Sequence, residues 1–114
     1  MIETIILAHL KTALDSDNVF MEVPRENLPE KFVVVEKTGG DRTNHISSSE
    51  FAVQSYAASL YDAAVLNESV KAAMDSLVEE DEVARSAYQT DYNFTDTETK
   101  RYRYQAVYDI THYE

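Results

Sequence analysis

The sequence contains no cysteine, no tryptophan, two glycines and two prolines. Without cysteine, the chain has no disulfides, no thiolate metal ligands and no cysteine nucleophile. Two glycines are too few for a Walker phosphate-binding loop or a dinucleotide-binding fingerprint, and no serine stands in a Gly-x-Ser-x-Gly context. The sequence therefore excludes the common enzyme classes that depend on these motifs, and we expect no enzymatic activity.

Long apolar runs are also missing, since no segment approaches the roughly 20 residues that cross a bilayer. The short apolar run near the start follows Glu3 instead of a basic residue, which argues against a secretory signal. The three histidines, His9, His45 and His112, lie far apart, without the spacing of metal ligands. We expect no membrane segment, no metal site and no cofactor, and a structural role for each histidine.

The charge is strongly one-sided, with 21 acidic and 10 basic side chains and a net charge of −11. Proteins that hold nucleic acids gain affinity mainly from lysine and arginine, so direct nucleic-acid binding is disfavoured. The acidity either serves solubility alone or provides a surface along which DNA can pass without adhering. The composition is compatible with both interpretations.

The length of 114 residues, with 44% hydrophobic and 27% charged residues, is typical of one globular domain. No internal repeat and no shift in composition divides the chain, so a single domain over residues 1–114 is predicted. Apolar periodicity predicts helices over 2–14 and 59–78, a short extended segment over 19–23, and strands over 31–37, 50–57, 83–90 and 100–113.

Two of these elements have especially clear patterns. The second helix begins with Ser59 three residues before Asp62, as in an N-cap, and then carries an apolar stripe. The stripe consists of Ala63, Leu66, Val70, Ala73 and Leu77. In the last strand, apolar and aromatic residues alternate with polar ones, which predicts a half-buried antiparallel strand. The order α-β-β-β-α-β-β predicts an α+β fold, a mostly antiparallel sheet with two helices packed on one face.

The segments between these elements are mostly polar. Gly39 and Gly40 predict a turn with positive φ, and the polar segment 41–49 is predicted as a loop or an irregular strand start. Asp91, Asn93 and Thr95 have the spacing that opens a calcium loop, but Asp96 replaces its glycine and no bidentate glutamate closes it. A hairpin turn stabilised by Asx side chains over 91–99 is therefore predicted.

Tyrosine is abundant, with eight residues, and it either packs against the helices or lies in a subunit interface. Lys100, Arg101 and Arg103 form the only basic cluster of the sequence. This cluster either pairs with carboxylates of its own chain, or is solvated, or meets an acidic run such as 79–82 of an adjacent subunit.

Several segments resemble a known family. They are VFMEVP at 19–24, FVVVEKTGG at 32–40, AVQSYA at 52–57, YNFTDT at 92–97 and YRYQAVYD at 102–109. Over residues 19–113 the chain resembles the tail terminator, or tail completion, proteins of long-tailed phages. These segments are structural and carry no chemistry.

The resemblance implies a homo-oligomeric ring, typically a hexamer, that caps the tail tube, stops its growth and joins it to the head. It also implies assembly in the host cytoplasm, a place in the tail or neck of the virion, and contacts with the tail tube protein and neck or connector proteins. DNA would pass through the channel without specific binding, and no cofactor or membrane would be needed.

Loops held by a rigid scaffold often carry interaction residues, so we place the expected subunit contacts in 41–49, 91–99 and the basic cluster. The candidate interface residues are Arg42, Asn44, His45, Asp91, Asn93, Asp96, Lys100, Arg101 and Arg103. Two alternatives remain: a head-completion or connector adaptor of the neck, and a monomeric acidic inhibitor that mimics DNA. The inhibitor would need carboxylates at phosphate-like spacing along one face.

Overall fold

The computed structural model describes residues 1–99 and 101–113, which form two α-helices, one short 3-10 helix and five strands. In chain order they are α1 (Ile2–Leu14), β1 (Val19–Phe20), β2 (Phe32–Thr43), β3 (Ile46–Ala57), α2 (Leu60–Asp75), the 3-10 helix (Ser76–Glu79), β4 (Val83–Asn93) and β5 (Tyr102–Tyr113). The predicted α+β class and the order α-β-β-β-α-β-β are confirmed. Lys100, a candidate interface residue, lies outside the described residues.

The five strands form one sheet in the order β1-β2-β3-β5-β4. All neighbouring pairs are antiparallel except β1 with β2, which are parallel. β1 is so short that it pairs only with Val33 and Val34. The rest of β2 and the whole of β4 therefore form the two outer edges of the sheet.

The main core lies between one face of the sheet and the two helices. All five residues of the predicted stripe on α2 and its 3-10 extension are buried, which confirms that helix face, and all except Ala63 belong to this core. They pack with Ile6 and Leu10 of α1 and with Ala106, Tyr108 and Ile110 of β5. Full burial of one such aliphatic side chain stabilises the fold by about 1.5–3 kcal/mol.

A smaller apolar cluster lies on the opposite face of the sheet. Phe32 and Tyr56 stack with ring centroids 4.5 Å apart, and Phe20 packs edge-on against Phe32. The buried run Phe32 to Val35 contributes to both faces of the sheet, so this part of the strand is buried on both sides. The second half of β2 is exposed.

Helix α2 begins as predicted, with the Ser59 hydroxyl accepting a hydrogen bond from the Asp62 backbone N–H at 3.1 Å. The α-helix ends at Asp75, earlier than predicted, and one 3-10 turn continues it to Glu79. Among the described residues, neither α-helix combines the length and the apolar character needed to cross a membrane.

The turn predicted at Gly39 and Gly40 is wrong, because both glycines lie inside β2 and neither has positive φ. The hairpin turns instead at Asn44 and His45, whose φ angles are 51° and 66°. A Cβ on Gly40 would stand 3.0 Å from the Ser48 carbonyl oxygen, so this glycine permits close approach of β2 and β3. Segment 41–49, which was predicted as a loop or an irregular strand start, is consequently mostly strand.

The connection between β4 and β5 is shorter than predicted, because β4 extends to Asn93. The Asn93 side chain accepts from the Thr95 N–H at 3.0 Å, and Asp96 accepts from the Glu98 N–H at 3.0 Å. These contacts confirm the predicted role of Asx side chains in this turn.

Candidate subunit interfaces on the sheet

The candidate interface residues divide between opposite ends of the sheet. The hairpin end carries the turn of the β2–β3 hairpin and the start of β4, and the loop end carries the start of β2 and the β4–β5 connection. Arg42, Asn44 and His45 lie at the hairpin end. Asn93, Asp96, Arg101 and Arg103 lie at the loop end, and Asp91 lies between them on β4.

At the hairpin end, basic side chains line a depression of about 460 Å³ beside the start of α1. Lys37 and Arg42 are exposed there and pair with no carboxylate in the described part of the chain. Glu3 and Asp41 line the same depression. Lys37 was not among the predicted interface residues, because its place beside Arg42 depends on the register of the hairpin.

At the loop end, Arg103 is held by its own chain. Its Nε donates to the Phe94 carbonyl oxygen at 2.6 Å, and its Nη1 donates to the Tyr56 hydroxyl at 2.8 Å. The guanidinium also lies 4.4 Å from the centroid of the Phe94 ring. These contacts are all within the chain, but they are to a carbonyl oxygen, a hydroxyl and an aromatic ring instead of to carboxylates. Arg101 is exposed, and its backbone forms an isolated antiparallel β-bridge with the backbone of Asp96.

Asp91 lies beside a shallow groove between α2 and β4. It accepts hydrogen bonds from the Tyr88 hydroxyl, from Asn67 Nδ2 at 2.8 Å and from Lys71 Nζ at 3.0 Å. These donors, with the Tyr88 hydroxyl first, hold the pKa of Asp91 below its ordinary value. Asp91 is therefore an ionised acceptor that ties β4 to α2.

The groove itself is acidic, and we call it the α2–β4 groove. Its lining consists of Glu68, Lys71, Ala72, Asp75, Tyr88 and Tyr108. Lys71 Nζ bridges Glu68, at 2.6 Å, and Asp91. Hydrogen bonds to these carboxylates raise the pKa of Lys71, Glu68 first. Two carboxylates thus hold the one ammonium group, and Asp75 adds a third carboxylate to the lining, which leaves the groove with an excess of negative charge.

The remaining tyrosine of the groove joins the core to its rim. Tyr108 is buried, and its hydroxyl donates to Asp75 Oδ1 at 3.0 Å or to the Lys71 carbonyl oxygen at 3.2 Å. Burial, followed by the nearby Asp75 carboxylate, raises the pKa of this hydroxyl. Core packing with a polar tip at the rim is one of the two tyrosine roles that the sequence left open.

The predicted contact between the basic cluster and the acidic run 79–82 depends on how subunits are arranged. Arg101 and Arg103 are at the loop end, whereas Glu79 and Glu82 precede β4 at the hairpin end. The 11 residues of β4 separate them, and a strand rises about 3.3 Å per residue. Two copies side by side in the same orientation do not bring these groups together.

His9 has the structural role that was predicted for it. Its Nδ1 lies 2.8 Å from Glu80 Oε2 and its Nε2 lies 2.8 Å from Ser76 Oγ, so it links α1 to the end of α2. Within residues 1–99 and 101–113, no group of three or more histidine, aspartate or glutamate side chains could hold a metal ion.

No protein-family model and no curated protein matches the chain. Among solved structures, the chain is similar to a chain of the structure described as "Virion of native gene transfer agent (GTA) particle". The superposition has a TM-score of 0.54, with 11% sequence identity, and covers 92% of this chain and 84% of that chain. At this identity the likeness shows a shared fold, which extends over nearly the whole of this chain.

Proposed function

We propose that this chain is a structural subunit of a phage-like particle, and more specifically a tail terminator that forms a ring on the end of the tail tube. The observation that carries the proposal is the likeness of its fold to a chain of a gene transfer agent virion. The resemblance of residues 19–113 to tail terminators supports the same particle and adds the position within it. The subunit is proposed to be non-catalytic and to need no cofactor.

The shape of the subunit suits a ring. Each copy in a closed ring needs two different flanks for its neighbours and two ends for the partners above and below. The sheet has two open edges, at β2 and β4, and the chain is 44 Å long but only 24 Å across in both other directions. Copies standing side by side would leave the hairpin end and the loop end free for the tail tube and for neck proteins.

The net charge of −11 suits the passage of DNA through such a ring. A wall of the same sign as the phosphate backbone disfavours adhesion, since binding would require cations that displace counterions. We therefore propose that DNA slides through the channel without specific binding.

Electron microscopy of the purified protein mixed with purified tail tubes tests the proposal. Hollow rings at one end of each tube, together with tubes of uniform length when the protein is present during polymerisation, are the expected result. Rings that bind isolated portal or connector assemblies and leave tubes bare would identify a neck adaptor instead. A globule that stays monomeric and binds no tube would remove the ring altogether.

A further inference from the structure

We propose that copies of this chain associate side by side through their open strand edges, with two different edges in contact. The outer edge of β2 beyond Val34 in one copy would pair with the outer edge of β4 in the next copy. This inference rests on the proposed ring and names the surfaces that close it.

The backbone supplies the first argument. On the outer side of β2, the Val33 N–H donates to the Asn18 carbonyl oxygen at 2.9 Å, and strand β1 ends with the Phe20–Val34 pair. From residue 35 to residue 43 the outer edge of β2 faces no other strand of the described chain, and the same holds for β4. An open edge presents unpaired N–H and C=O groups, which can add a strand from another chain.

The directions of the strands supply the second argument. β2 and β5 run from the loop end to the hairpin end, and β3 and β4 run the opposite way. Copies related by rotation about an axis along the strands keep these directions, so β2 of one copy meets β4 of its neighbour antiparallel. Antiparallel pairing is slightly more stable than parallel pairing. Within the subunit, β2, β3, β4 and β5 already pair with one another in this way.

Charge supplies the third argument. Lys37 lies opposite Phe51, Phe51 opposite Tyr108, and Tyr108 opposite Tyr88, so the four form one row on the helix-covered face. A β2 strand added beside β4 in this row would place its Lys37 on the face that carries the α2–β4 groove. The unpaired ammonium would then meet the excess of carboxylates.

The same charges disfavour the alternative pairings. Two β2 edges joined to each other would bring together the unpaired cations Lys37 and Arg42. Two β4 edges joined to each other would bring together two acidic grooves, each with Glu68, Asp75 and Asp91. The pairing of unlike edges instead places Lys37 beside the carboxylates of the groove, and an interface of unlike surfaces is the kind that generates rings.

Bulges limit the length of the pairing. The register shifts between Lys37 and Gly39 in β2, and between Tyr88 and Thr90 in β4. Bulges protect an edge from indiscriminate pairing because they twist it locally. The contact is therefore short, and its register depends on the side-chain charges, which makes charge reversal a suitable test.

The test compares two variants with the same change in net charge. In Lys37→Glu/Arg42→Glu the edge of β2 becomes acidic, and in the control Lys11→Glu/Arg25→Glu two other exposed cations are reversed. By sedimentation velocity, we expect the first variant to assemble at least about tenfold more weakly than the control, a factor equivalent to about 1.4 kcal/mol. Those amides of 35–43 that point away from β3 should exchange slowly in the ring and fast in the first variant.

A complementary variant guards against simple misfolding. Glu68→Lys/Ala72→Lys changes two exposed groove positions to cations and should also weaken assembly. A mixture of the two weakened variants should form rings again, because each acidic β2 edge then finds a basic groove. A merely unfolded variant would not be rescued in this way.

The outcomes separate this inference from the proposed function. Edge pairing would be overturned if Lys37→Glu/Arg42→Glu formed rings as well as the control does, or if the mixture failed to restore assembly. Either result would leave the proposed ring-forming function standing. An unmodified chain that stays monomeric at every protein and salt concentration, and binds no tail tube, would overturn both.

Discussion

Gln54 on β3 and Gln105 on β5 lie directly opposite each other, and Gln54 Nε2 donates to Gln105 Oε1 at 2.9 Å. Both side chains are nearly buried, with 7% and 9% exposure, although they lie on the face away from the helices. The Tyr56 hydroxyl donates to Gln54 Oε1, and Gln105 Nε2 donates to the Tyr92 hydroxyl. A ladder of polar side chains thus joins β3, β5 and β4.

Replacing Gln54 by alanine should lower the free energy of unfolding by about 1–3 kcal/mol, because it removes the donor to the buried Gln105 Oε1 and the acceptor of the Tyr56 hydroxyl hydrogen. Urea unfolding would measure the loss. Gln89→Ala is the matched control, since Gln89 also donates to a neighbouring strand, at Asp109, but is exposed. The control should stay within about 0.5 kcal/mol. Equal losses in the two variants would contradict a special role for burial in the ladder.

Helix α2 allows a second comparison on one element. Val70 is fully buried in the core, whereas Val65 is 48% exposed on the same helix. Val70→Asp should destabilise the fold by about 3–5 kcal/mol, because an unpaired charge enters the core, while Val65→Asp should have a small effect. Thermal unfolding of both variants is the measurement. An unchanged melting temperature for Val70→Asp would show that the buried face of α2 is assigned wrongly.

The elements that could be predicted are those with a local signal. The stripe on α2 repeats every three or four residues, and the alternation in β5 repeats every two, so both periods are visible without any partner. The predicted turn at Gly39 and Gly40 is wrong because the reason for Gly40 is non-local: a Cβ there would stand 3.0 Å from the carbonyl oxygen of Ser48 on another strand. Asn44 and His45 have the positive φ angles instead. Because glycine is preferred at such turn positions, the sequence pattern pointed to the glycines and not to these two residues.

The interface residues were harder to predict because their surroundings depend on strand register. Asp91 was proposed for a subunit contact from its place in a polar segment, yet it binds Lys71 and Asn67 of α2. Lys37 had no visible distinction in the sequence, and the row that joins it to Tyr88 appears only once four strands are aligned.

Asp91 also predicts a response to acid. Its pKa lies below the ordinary value of 3.8 because Tyr88, Lys71 and Asn67 donate to the carboxylate. The folded state therefore binds this proton less tightly than the unfolded state, so the stabilisation is present above that value and is lost as the pH falls through the folded pKa. Asp91→Asn should be less stable than the unmodified chain at neutral pH, and the difference should shrink on acidification.

Unfolding free energies measured from neutral pH to below the ordinary carboxyl pKa would show this convergence. Tyr88→Phe removes the donor that lowers the pKa of Asp91 most, so its profile should lie between those of Asp91→Asn and the unmodified chain. A constant difference at every pH would mean that Asp91 acts through packing and not through its charge.

The balance of charge predicts how salt affects assembly. A ring of six chains, each with a net charge of −11, would carry −66, and this self-repulsion opposes closure. Salt shortens the screening length from about 30 Å at 0.01 M to about 8 Å at 0.15 M, and so weakens repulsion between whole subunits more than contacts at close range. We therefore expect mostly monomers in dilute low-salt buffer and more rings as salt rises.

Contacts between Lys37 and the α2–β4 groove would respond in the opposite sense, because screening weakens attraction too. Sedimentation velocity across salt concentrations shows which of the two effects is larger. Association that rises with salt is the expected result, whereas association that falls with salt would show that these ion pairs outweigh the repulsion of the whole ring.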